Sequence, residues 1–354
     1  NSWTLALAGA ATDLERHPSD FGRLYAGIGD LIARNENGVY RSTDAGASWA
    51  PIEGPWESDG DGVGRVELAI APSNPNVLYV GIQDGYNVRG TDGGLLGLWR
   101  TDNAWDPTPS WTLIDVTETD NGTGNHGYCG YNPAFNSLTE QCWYDHELIV
   151  DPANPDILYA GGIALWKYNG TSWSEVSHLV DRPEVGIHVD QHAMAWAGNR
   201  LLVGNDGGLW STTDGGETWE DHNTNLAITQ FYEGAIHPED PFFAVGGAQD
   251  NGSMRWNGPP TGWRWVLGGD GADNVFSQSN PDTDWALSFQ SLAIRRTRNA
   301  GASFERADIG INKNGAAFIS RFEQCPADEN VVIAGTDNLW KTTEFFSAEG
   351  SPSW

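Results

Sequence analysis

Basic residues are scarce in this sequence. Its 354 residues include 19 lysines and arginines against 48 aspartates and glutamates, which gives a formal net charge of −29 at pH 7. Lysine itself occurs only at Lys167, Lys313 and Lys341. Nucleic acids and anionic membrane surfaces are bound through basic patches, so the charge balance argues against both as partners. Such an excess of acid fits a saline or extracellular habitat, or the binding of cations.

Long apolar runs and several catalytic motifs are also missing. No stretch approaches the roughly 18 apolar residues that indicate a membrane-spanning helix. The sequence has no nucleophile elbow, no phosphate-binding glycine loop and no paired zinc-ribbon cysteines. It shows no signal peptide either, and we expect a mature chain that has lost one.

Cysteine is limited to three residues. Cys129 and Cys142 lie 13 positions apart in an insertion rich in glycine and asparagine, whereas Cys325 stands alone. We predict a disulfide between the first two, which would contribute on the order of 3 kcal/mol by closing a short loop. The alternative is a pair of reduced loop thiols. A disulfide implies an oxidising compartment, so the predicted location is extracellular or periplasmic.

Glycine and tryptophan, by contrast, are abundant, with 44 and 18 residues. They recur in a repeated unit, of which residues 188–219 are the clearest copy. Three short apolar runs alternate there with the turn sequences Gly198-Asn199 and Asn205-Asp-Gly-Gly208. This pattern predicts consecutive antiparallel strands joined by tight turns.

The unit ends in a hairpin with the spacing S/T-x-D-x-G-x-x-W/F at residues 212–219. The spacing recurs at residues 42–49 and, with Asn299 in place of the aspartate, at residues 297–304. Each unit also has an early turn, usually containing proline, between two further apolar runs. The aromatic residues that close the units bound seven units of 39 to 62 residues and lie at positions 3, 49, 111, 173, 219, 265, 304 and 354. Four strands at a period of roughly 40–50 residues indicate β-propeller blades.

We therefore predict an all-β fold, a single seven-bladed β-propeller of four-stranded blades that spans residues 1–354. The units are expected to end near 49, 111, 173, 219, 265, 304 and 354. A strand at residues 3–8 is expected to complete the last blade and close the ring.

The repeated hairpin resembles the Asp-box, also called the bacterial neuraminidase repeat. That repeat occurs in sialidases, xyloglucan-degrading hydrolases, sortilin-type receptors and a photosystem-assembly factor, all of them β-propellers. The resemblance implies the fold rather than a function, because one fold hosts many activities. It also implies that Asp44 and Asp214 shape the hairpin turns and that the aromatic residue packs between strands.

Polar residues gather in the turns that a propeller would place on the face opposite the hairpins. We expect them to surround the mouth of the central channel. The alternative is that Asp, Asn and Gly occur there only because they favour turns. The predicted catalytic residues are Asp190, His192, Asp206, Asp250 and Asp270. The predicted substrate-binding residues are His146, His188, Gln230, Tyr232, Gln249, Asn251 and Trp143.

His188, Asp190 and His192 alternate along the chain. On an extended strand their side chains would point to one side. Two imidazoles and a carboxylate suit a transition metal such as zinc, or a general acid–base pair in which the carboxylate orients a ring. Turns rich in Asp and Asn suit calcium equally well. The predicted divalent metal is therefore calcium or zinc, and structural histidines with satisfied hydrogen bonds are the alternative.

Two functions from different classes fit the sequence. The first is a secreted carbohydrate-active propeller, a glycoside hydrolase or lyase on an extended glycan, because carboxylates, histidines and spare tryptophans gather on one face. The second is a non-catalytic extracellular propeller that binds a protein or a glycan or belongs to a larger assembly. Sialidase activity is not expected, because the arginine triad and the Tyr/Glu pair of sialidases cannot be aligned with this sequence.

Overall fold

The computed structural model describes residues 3–32, 34–57, 62–85, 93–120, 122, 127–134, 136–138, 141–179, 181–182 and 184–354. Within these ranges the chain consists of strands and turns, without an α-helix. Three single-turn 3-10 helices lie at Pro55–Glu57, Thr117–Thr119 and Asn223–Asn225. In the part of the chain that is described, no helix is long and apolar enough to cross a membrane.

The chain forms two compact units, Asn1–Leu226 and Ala227–Trp354. In each unit the sheets are antiparallel, and strands that follow one another in the chain are hydrogen-bonded neighbours. Glycine, proline, asparagine and aspartate fill the tight reversals because these residues favour turns. A single domain over residues 1–354 stays a prediction.

The described residues of the first unit form four sheets of four strands, which are the first to fourth blades. A two-stranded hairpin, β9 and β10, lies between the second and third blades in the chain. The strands are β1 (Ala11–Arg16), β2 (Leu24–Ile28), β3 (Gly38–Ser42), β4 (Ala50–Ile52), β5 (Val63–Ile70), β6 (Leu78–Asp84), β7 (Leu95–Thr101), β8 (Thr112–Leu113), β9 (Tyr131–Asn132), β10 (Ser137–Leu138), β11 (Glu147–Val150), β12 (Leu158–Gly161), β13 (Leu165–Tyr168), β14 (Trp173–Glu175), β15 (Gln191–Ala197), β16 (Arg200–Asn205), β17 (Gly208–Thr212) and β18 (Glu220–Asp221).

The second unit contains the fifth and sixth blades, of four strands each, and a seventh blade of three strands. The strands are β19 (Phe231–Ile236), β20 (Ala244–Ala248), β21 (Gly252–Trp256), β22 (Trp263–Leu267), β23 (Gly271–Phe276), β24 (Trp285–Phe289), β25 (Ala293–Thr297), β26 (Glu305–Arg306), β27 (Phe322–Cys325), β28 (Asp328–Gly335) and β29 (Leu339–Thr342).

The first strands of successive sheets lie side by side. In the first unit β1 contacts β5, β5 contacts β11 and β11 contacts β15. In the second unit β19 contacts β23 and β23 contacts β27. Sheets of up-and-down strands that meet through their first strands are propeller blades. The predicted all-β fold of seven propeller blades is therefore confirmed for the described residues.

The hydrophobic core lies between the facing sheets of neighbouring blades. One cluster of buried side chains joins Tyr79 and Leu98 of the second blade to Leu148 and Trp166 of the third. Side chains alternate between the two faces of a strand, so each blade presents one apolar row to each neighbour. Burial of these rows removes apolar area from water and stabilises the stack.

The repeated hairpins are held by hydrogen bonds within the turn. At residues 212–219 the Thr212 hydroxyl donates to Asp214 Oδ1 at 2.7 Å, and the same oxygen accepts the Thr218 amide at 3.0 Å. Asp44 accepts the Ser48 amide in the same way at 2.9 Å. Hydrogen bonds to their carboxylates lower the pKa values of Asp44 and Asp214 to about 2. Both aspartates are therefore turn residues, as expected.

The aromatic closers of the six four-stranded blades stand directly before or within the fourth strands. Trp49, Trp111 and Trp219 each immediately precede the first residue of a fourth strand. The Trp219 indole also donates to the Val176 carbonyl oxygen at 2.8 Å, next to the end of β14. The closing aromatic of the fourth blade is therefore fastened to the third blade.

The strand expected at residues 3–8 is absent. These residues form no strand, and the seventh blade consists of β27, β28 and β29. Trp3 is 99% exposed and Leu5 is 81% exposed. Apolar side chains this exposed are not packed against a sheet. The strand predicted at residues 3–8 from the position of Trp3 is therefore not present. The six four-stranded blades end at residues 52, 113, 175, 221, 267 and 306.

A disulfide joins Cys129 and Cys142 in the connection between the second and third blades. Both residues are fully buried and belong to the apolar cluster that these two blades share. The predicted cross-link is present, and Cys325 has a free thiol in β27.

Candidate functional site

His192, Asp206 and Tyr144 form one network in the first unit. His192 is the second residue of β15, and Asp206 lies in the turn between β16 and β17. The imidazole Nε2–H of His192 donates to Asp206 Oδ1 at 2.7 Å. The Tyr144 ring stands edge-on to the His192 ring, with centroids 4.6 Å apart, and its hydroxyl lies 3.4 Å from Asp206 Oδ2. The structure thus joins two predicted catalytic residues to a tyrosine that the sequence analysis did not select.

The backbone before β15 is not the extended strand that the alternating spacing suggested. Asp190 has a left-handed conformation with φ 63°. Its amide donates to the Ile163 carbonyl oxygen at 3.0 Å, and β15 begins only at the next residue. Aspartate tolerates this conformation better than most residues, because its short side chain bonds to nearby backbone groups. His188, Asp190 and His192 therefore do not lie along one strand face.

His188 packs its ring against Gly207, where an added Cβ would lie 2.5 Å from the imidazole. Its carbonyl oxygen accepts hydrogen bonds from Gln191 Nε2 at 2.8 Å and Asn205 Nδ2 at 2.9 Å. These bonds hold the segment that contains Asp190. Among the described residues, no group of three or more His, Cys, Asp or Glu side chains is arranged to hold a metal ion. The zinc or calcium site at His188, Asp190 and His192 stays a prediction.

Asp145 lies just before β11 and is fully buried. Its carboxyl forms a side-chain hydrogen bond with the carboxyl of Asp190. Burial raises the pKa of Asp145 well above its ordinary value, and the carboxylates of Asp190 and Asp206 raise it further. Burial also raises the pKa of Asp190 to about 6. The first unit therefore contains a protonated carboxyl beside the network, and the sequence analysis did not select it.

Arg65 in β5 holds the backbone of the segment that contains Tyr144 and Asp145. Its guanidinium donates to the carbonyl oxygens of Tyr144 at 2.6 Å and His146 at 2.8 Å. One nitrogen also lies 3.4 Å from Glu67 Oε2. Because these contacts are internal, Arg65 positions the backbone of residues 143–146.

His146 is a buried core residue, contrary to its predicted contact with substrate. Its Nε2 lies 2.7 Å from the hydroxyl oxygen of Tyr128, and both residues are fully buried. Burial lowers the pKa of His146 well below its ordinary value, so the ring is neutral. Trp143 is 41% exposed, with its ring 5.4 Å from that of Tyr144.

The other predicted site residues lie in the second unit and form a set of their own. The Asp250 amide donates to Asp270 Oδ1 at 3.0 Å, and the Asp270 amide donates to Gln290 Oε1 at 2.8 Å. Burial and the two carboxylates raise the pKa of Tyr232. Backbone hydrogen bonds join the remaining predicted members of this set, Gln230, Gln249 and Asn251. The contacts of this set are turn contacts, and its catalytic role stays a prediction.

Four acids on first strands were missed, and we call them the inner-strand acids: Asp13, Glu15, Glu67 and Glu147. Burial raises the pKa of Asp13 to about 6, that of Glu15 to about 8 and that of Glu147 to about 7. It raises the pKa of Glu67 well above the ordinary value. Repulsion from the other carboxylates adds to the shifts of Glu15, Glu67 and Glu147.

A sequence signal exists for three of these acids, Asp13, Glu67 and Glu147, and it also includes Glu233. In four blades an acid stands five positions before the proline of the first turn, namely Asp13 before Pro18, Glu67 before Pro72, Glu147 before Pro152 and Glu233 before Pro238. Two of these acids link blades, since Asp13 Oδ2 accepts the Leu68 amide at 2.7 Å and Glu147 Oε1 accepts the Met194 amide at 3.4 Å. The spacing therefore marks contacts between the first strands of neighbouring blades.

No protein-family model matches the chain, and no curated protein matches its sequence. Among solved structures, the GH74 xyloglucanase from Xanthomonas campestris is similar over 98% of this chain and 54% of its own length, with 18% identity and a TM-score of 0.42. A GH74 enzyme from Niastella koreensis covers the same shares, with 16% identity and a TM-score of 0.41. YCF48 from Cyanidioschyzon merolae is similar over 94% of this chain and 95% of its own, with 9% identity and a TM-score of 0.38.

This chain spans 54% of the length of both GH74 structures, which is about half. Similarity at these identities assigns neither an activity nor a residue role to the chain, because one fold hosts many activities. The chemistry of the site is argued from its own residues.

The network in the first unit contains the parts that acid–base catalysis requires. A carboxylate oxygen only accepts hydrogen bonds, so pairing with Asp206 places the hydrogen of His192 on Nε2 and leaves Nδ1 as the basic atom. Asp190 holds its proton up to about pH 6, because its pKa is raised to that value. An oriented imidazole can accept one proton in a reaction, and a protonated carboxyl beside it can donate another in the same reaction.

Proposed function

We propose that the chain is a carbohydrate-active propeller that hydrolyses glycosidic bonds in an extended glycan. The supporting observation is a carboxyl that stays protonated near pH 6 beside an imidazole oriented by a carboxylate. Glycoside hydrolysis needs a proton donor for the leaving oxygen and a base for the attacking water. Asp190 is the donor in this proposal, and His192 is the base, held in place by Asp206.

The substrate of this proposal carries no anionic groups. Trp143 and Tyr144 offer neighbouring aromatic rings on which a sugar can pack, since Trp143 is 41% exposed. Among the described residues, the carboxyl groups of Asp145, Asp190 and Asp206 interact at the network, and the Arg65 guanidinium donates to backbone carbonyl oxygens. A sialic acid or a uronate chain would need a cationic partner for its carboxylates. Hydrolysis therefore fits this site better than sialidase activity or cleavage of a uronate chain by a lyase.

We also propose an extracellular or periplasmic location and membership of the Asp-box repeat proteins. The Cys129–Cys142 disulfide supports the location, because disulfides persist in oxidising compartments. Shared hydrogen bonds support the membership, since the amide two residues after the hairpin glycine donates to the Asp or Asn side chain in all three hairpins.

The proposal is tested by measuring reducing ends released from neutral and uronate-containing polysaccharides. We expect activity on a chain without anionic groups. Its kcat/KM should fall as the pH rises through about 6, because Asp190 then loses the proton it donates. Asp190→Asn should lower kcat at least about 100-fold. Glu349→Gln, at an exposed acid of the second unit, is the matched control and should have no effect.

Equal activity of the Asp190→Asn and unaltered proteins would contradict the assignment of the proton donor. Binding of a glycan without hydrolysis, over the whole panel and pH range, would favour the non-catalytic extracellular propeller instead. A complete absence of glycan binding would point to a protein partner and remove the carbohydrate proposal.

A further inference from the structure

We infer that a cavity between the third and fourth blades, within the first unit, binds a sugar residue of a neutral glycan chain. The cavity measures about 490 Å³, in the range of roughly 300–1,000 Å³ that is typical of small-molecule sites. Asn199 lines it and lies just before β16, whereas Asp206 follows the end of β16. This site and the network of His192 and Asp206 are therefore at opposite ends of one strand, and the inference goes beyond the proposed hydrolysis.

The cavity arises from a difference between the first turns of the blades. In the second and third blades, residues 71–77 and 151–157 join the first strand to the second. In the fourth blade, Gly198 and Asn199 alone join β15 to β16. Both residues line the cavity, together with residues of the 212–219 hairpin. The shorter turn therefore leaves open a space beside the third blade.

Tyrosine is the second residue of the second strand in each of the first three blades, at Tyr25, Tyr79 and Tyr159. Tyr25 donates to the Ala104 carbonyl oxygen of the second blade, and Tyr79 donates to the Pro155 carbonyl oxygen of the third at 3.0 Å. Tyr159 lines the cavity and is 1% exposed, yet its hydroxyl forms no hydrogen bond with any described residue. A buried polar group without a partner is costly, so a ligand that accepts this hydrogen bond would remove the cost.

The basic residue paired with this tyrosine on the third strand shows the same contrast. In the second blade it is Arg100, which lies 2.6 Å from Asp156 Oδ1 of the third blade. In the third blade it is Lys167, whose ammonium donates to the Gly215 carbonyl oxygen of the fourth blade at 3.4 Å. An ammonium group has three donors, and this is its single hydrogen bond among the described residues. Two donors of Lys167 are therefore left for a ligand in the cavity.

The charges and walls of the cavity favour a neutral sugar over an anion. Its charged lining residues in the described part of the chain are Asp151, Asp214 and Lys167, so negative charge exceeds positive. Burial and the two carboxylates raise the pKa of Tyr159 to about 12, so its hydroxyl keeps the proton and can donate. The Trp196 indole N–H donates to a backbone carbonyl oxygen at 3.0 Å, which leaves its ring as an apolar wall. A sugar offers hydroxyl groups that accept and donate, and an apolar ring face that packs on an aromatic side chain.

The test measures binding of a sulfur-linked glucose hexasaccharide, which resists hydrolysis, by calorimetry at fixed ionic strength. The comparison ligand has the same linkages and a carboxylate on every sugar. We expect the neutral ligand to bind, and the uronate ligand to bind at least about tenfold more weakly, because Asp151 and Asp214 repel its carboxylates.

Two variants and a matched control locate the binding. Tyr159→Phe removes a hydroxyl without a protein partner and should weaken binding of the neutral ligand at least about fivefold, as expected for one lost hydrogen bond. Lys167→Met should weaken it by a similar factor. The control Tyr79→Phe removes the hydroxyl that Pro155 accepts and should leave binding unchanged. Thermal unfolding verifies that each variant is folded.

Hydrolysis of a short neutral glycan is measured in parallel and should be the same for Tyr159→Phe and the unaltered protein. Equal affinity of Tyr159→Phe and Tyr79→Phe for the neutral ligand would overturn the inference, as would tighter binding of the uronate ligand. If either result came with hydrolysis of a neutral glycan, the proposed function would still stand. Binding that depends on Tyr159 and Lys167, without hydrolysis of any glycan, would support the cavity site and overturn the proposed function.

Discussion

At the scale of single residues, the surroundings of an aspartate decide its role in this chain. Asp214 accepts hydrogen bonds from Thr218 and Thr212, which lower its pKa to about 2. Asp190 is mostly removed from water, and its pKa is raised to about 6. Asp145 is fully buried, and its carboxyl forms a side-chain hydrogen bond with that of Asp190. Hydrogen-bond donors stabilise the charged carboxylate, whereas burial destabilises it. An aspartate with donors therefore anchors a turn, and a buried aspartate keeps its proton and can act as an acid.

The hairpin anchor is testable with two substitutions at Asp214. Asp214→Ala removes the acceptor of the Thr218 amide and hydroxyl, and should lower the free energy of unfolding by about 1 kcal/mol. Asp214→Asn should retain most of the stability. In the 297–304 hairpin, Asn299 accepts the Ser303 amide at 2.9 Å and donates to its hydroxyl at 2.8 Å. Urea denaturation measures the free energy of unfolding of both variants. An equal loss of stability in Asp214→Ala and Asp214→Asn would contradict the prediction.

At the scale of elements, the sequence predicts the hairpins better than the segments between blades. The turn glycines and the aromatic closers act within a few residues of each other, so their spacing is enough to locate the third and fourth strands. The left-handed conformation of Asp190 depends instead on a hydrogen bond to Ile163 of the previous blade. The alternating spacing of residues 188–192 therefore suggested a strand that the tertiary contact interrupts.

The connection between the second and third blades should depend on its disulfide. Reduction of Cys129–Cys142 should lower the free energy of unfolding by up to about 3 kcal/mol, since the bond limits the unfolded chain. The measurement is the unfolding midpoint with and without a thiol reductant. The double variant Cys129→Ala/Cys142→Ala should lose its response to reductant, whereas Cys325→Ser should respond like the unaltered protein. An unchanged midpoint after verified reduction would contradict the prediction.

At the scale of the whole molecule, acidity and burial combine to make stability depend on pH. The unperturbed pKa values of Asp13, Glu15 and Glu147 are 3.8, 4.5 and 4.5, and their folded values are about 6, 8 and 7. The folded state therefore binds more protons than the unfolded state between about pH 4 and 8. Stability must fall as the pH rises through this window, because protons favour the state that binds more of them.

Calorimetric melting at fixed ionic strength checks this dependence. We expect the melting temperature to fall by several degrees between about pH 5 and 8, and Glu15→Gln to flatten the decline. The control Glu349→Gln should leave the slope unchanged. Below about pH 4 the sign reverses, because the lowered pKa values of Asp44 and Asp214 make their protonation destabilising. A melting temperature that rises from pH 5 to 8 would contradict the assignment of the inner-strand acids.

The sequence by itself determined the all-β class, the seven blades and the chemistry of the hairpin turns. These features follow from contacts between residues close together in the chain, which leave a repeated pattern of glycine, proline and aromatic residues. Only the tertiary structure decided which acids are buried, that His146 turns into the core and that Tyr144 joins His192 and Asp206. The state of a carboxyl depends on the water that distant strands remove from it. The spacing of acids from the turn prolines marks their positions in the blades but not how far each one is buried.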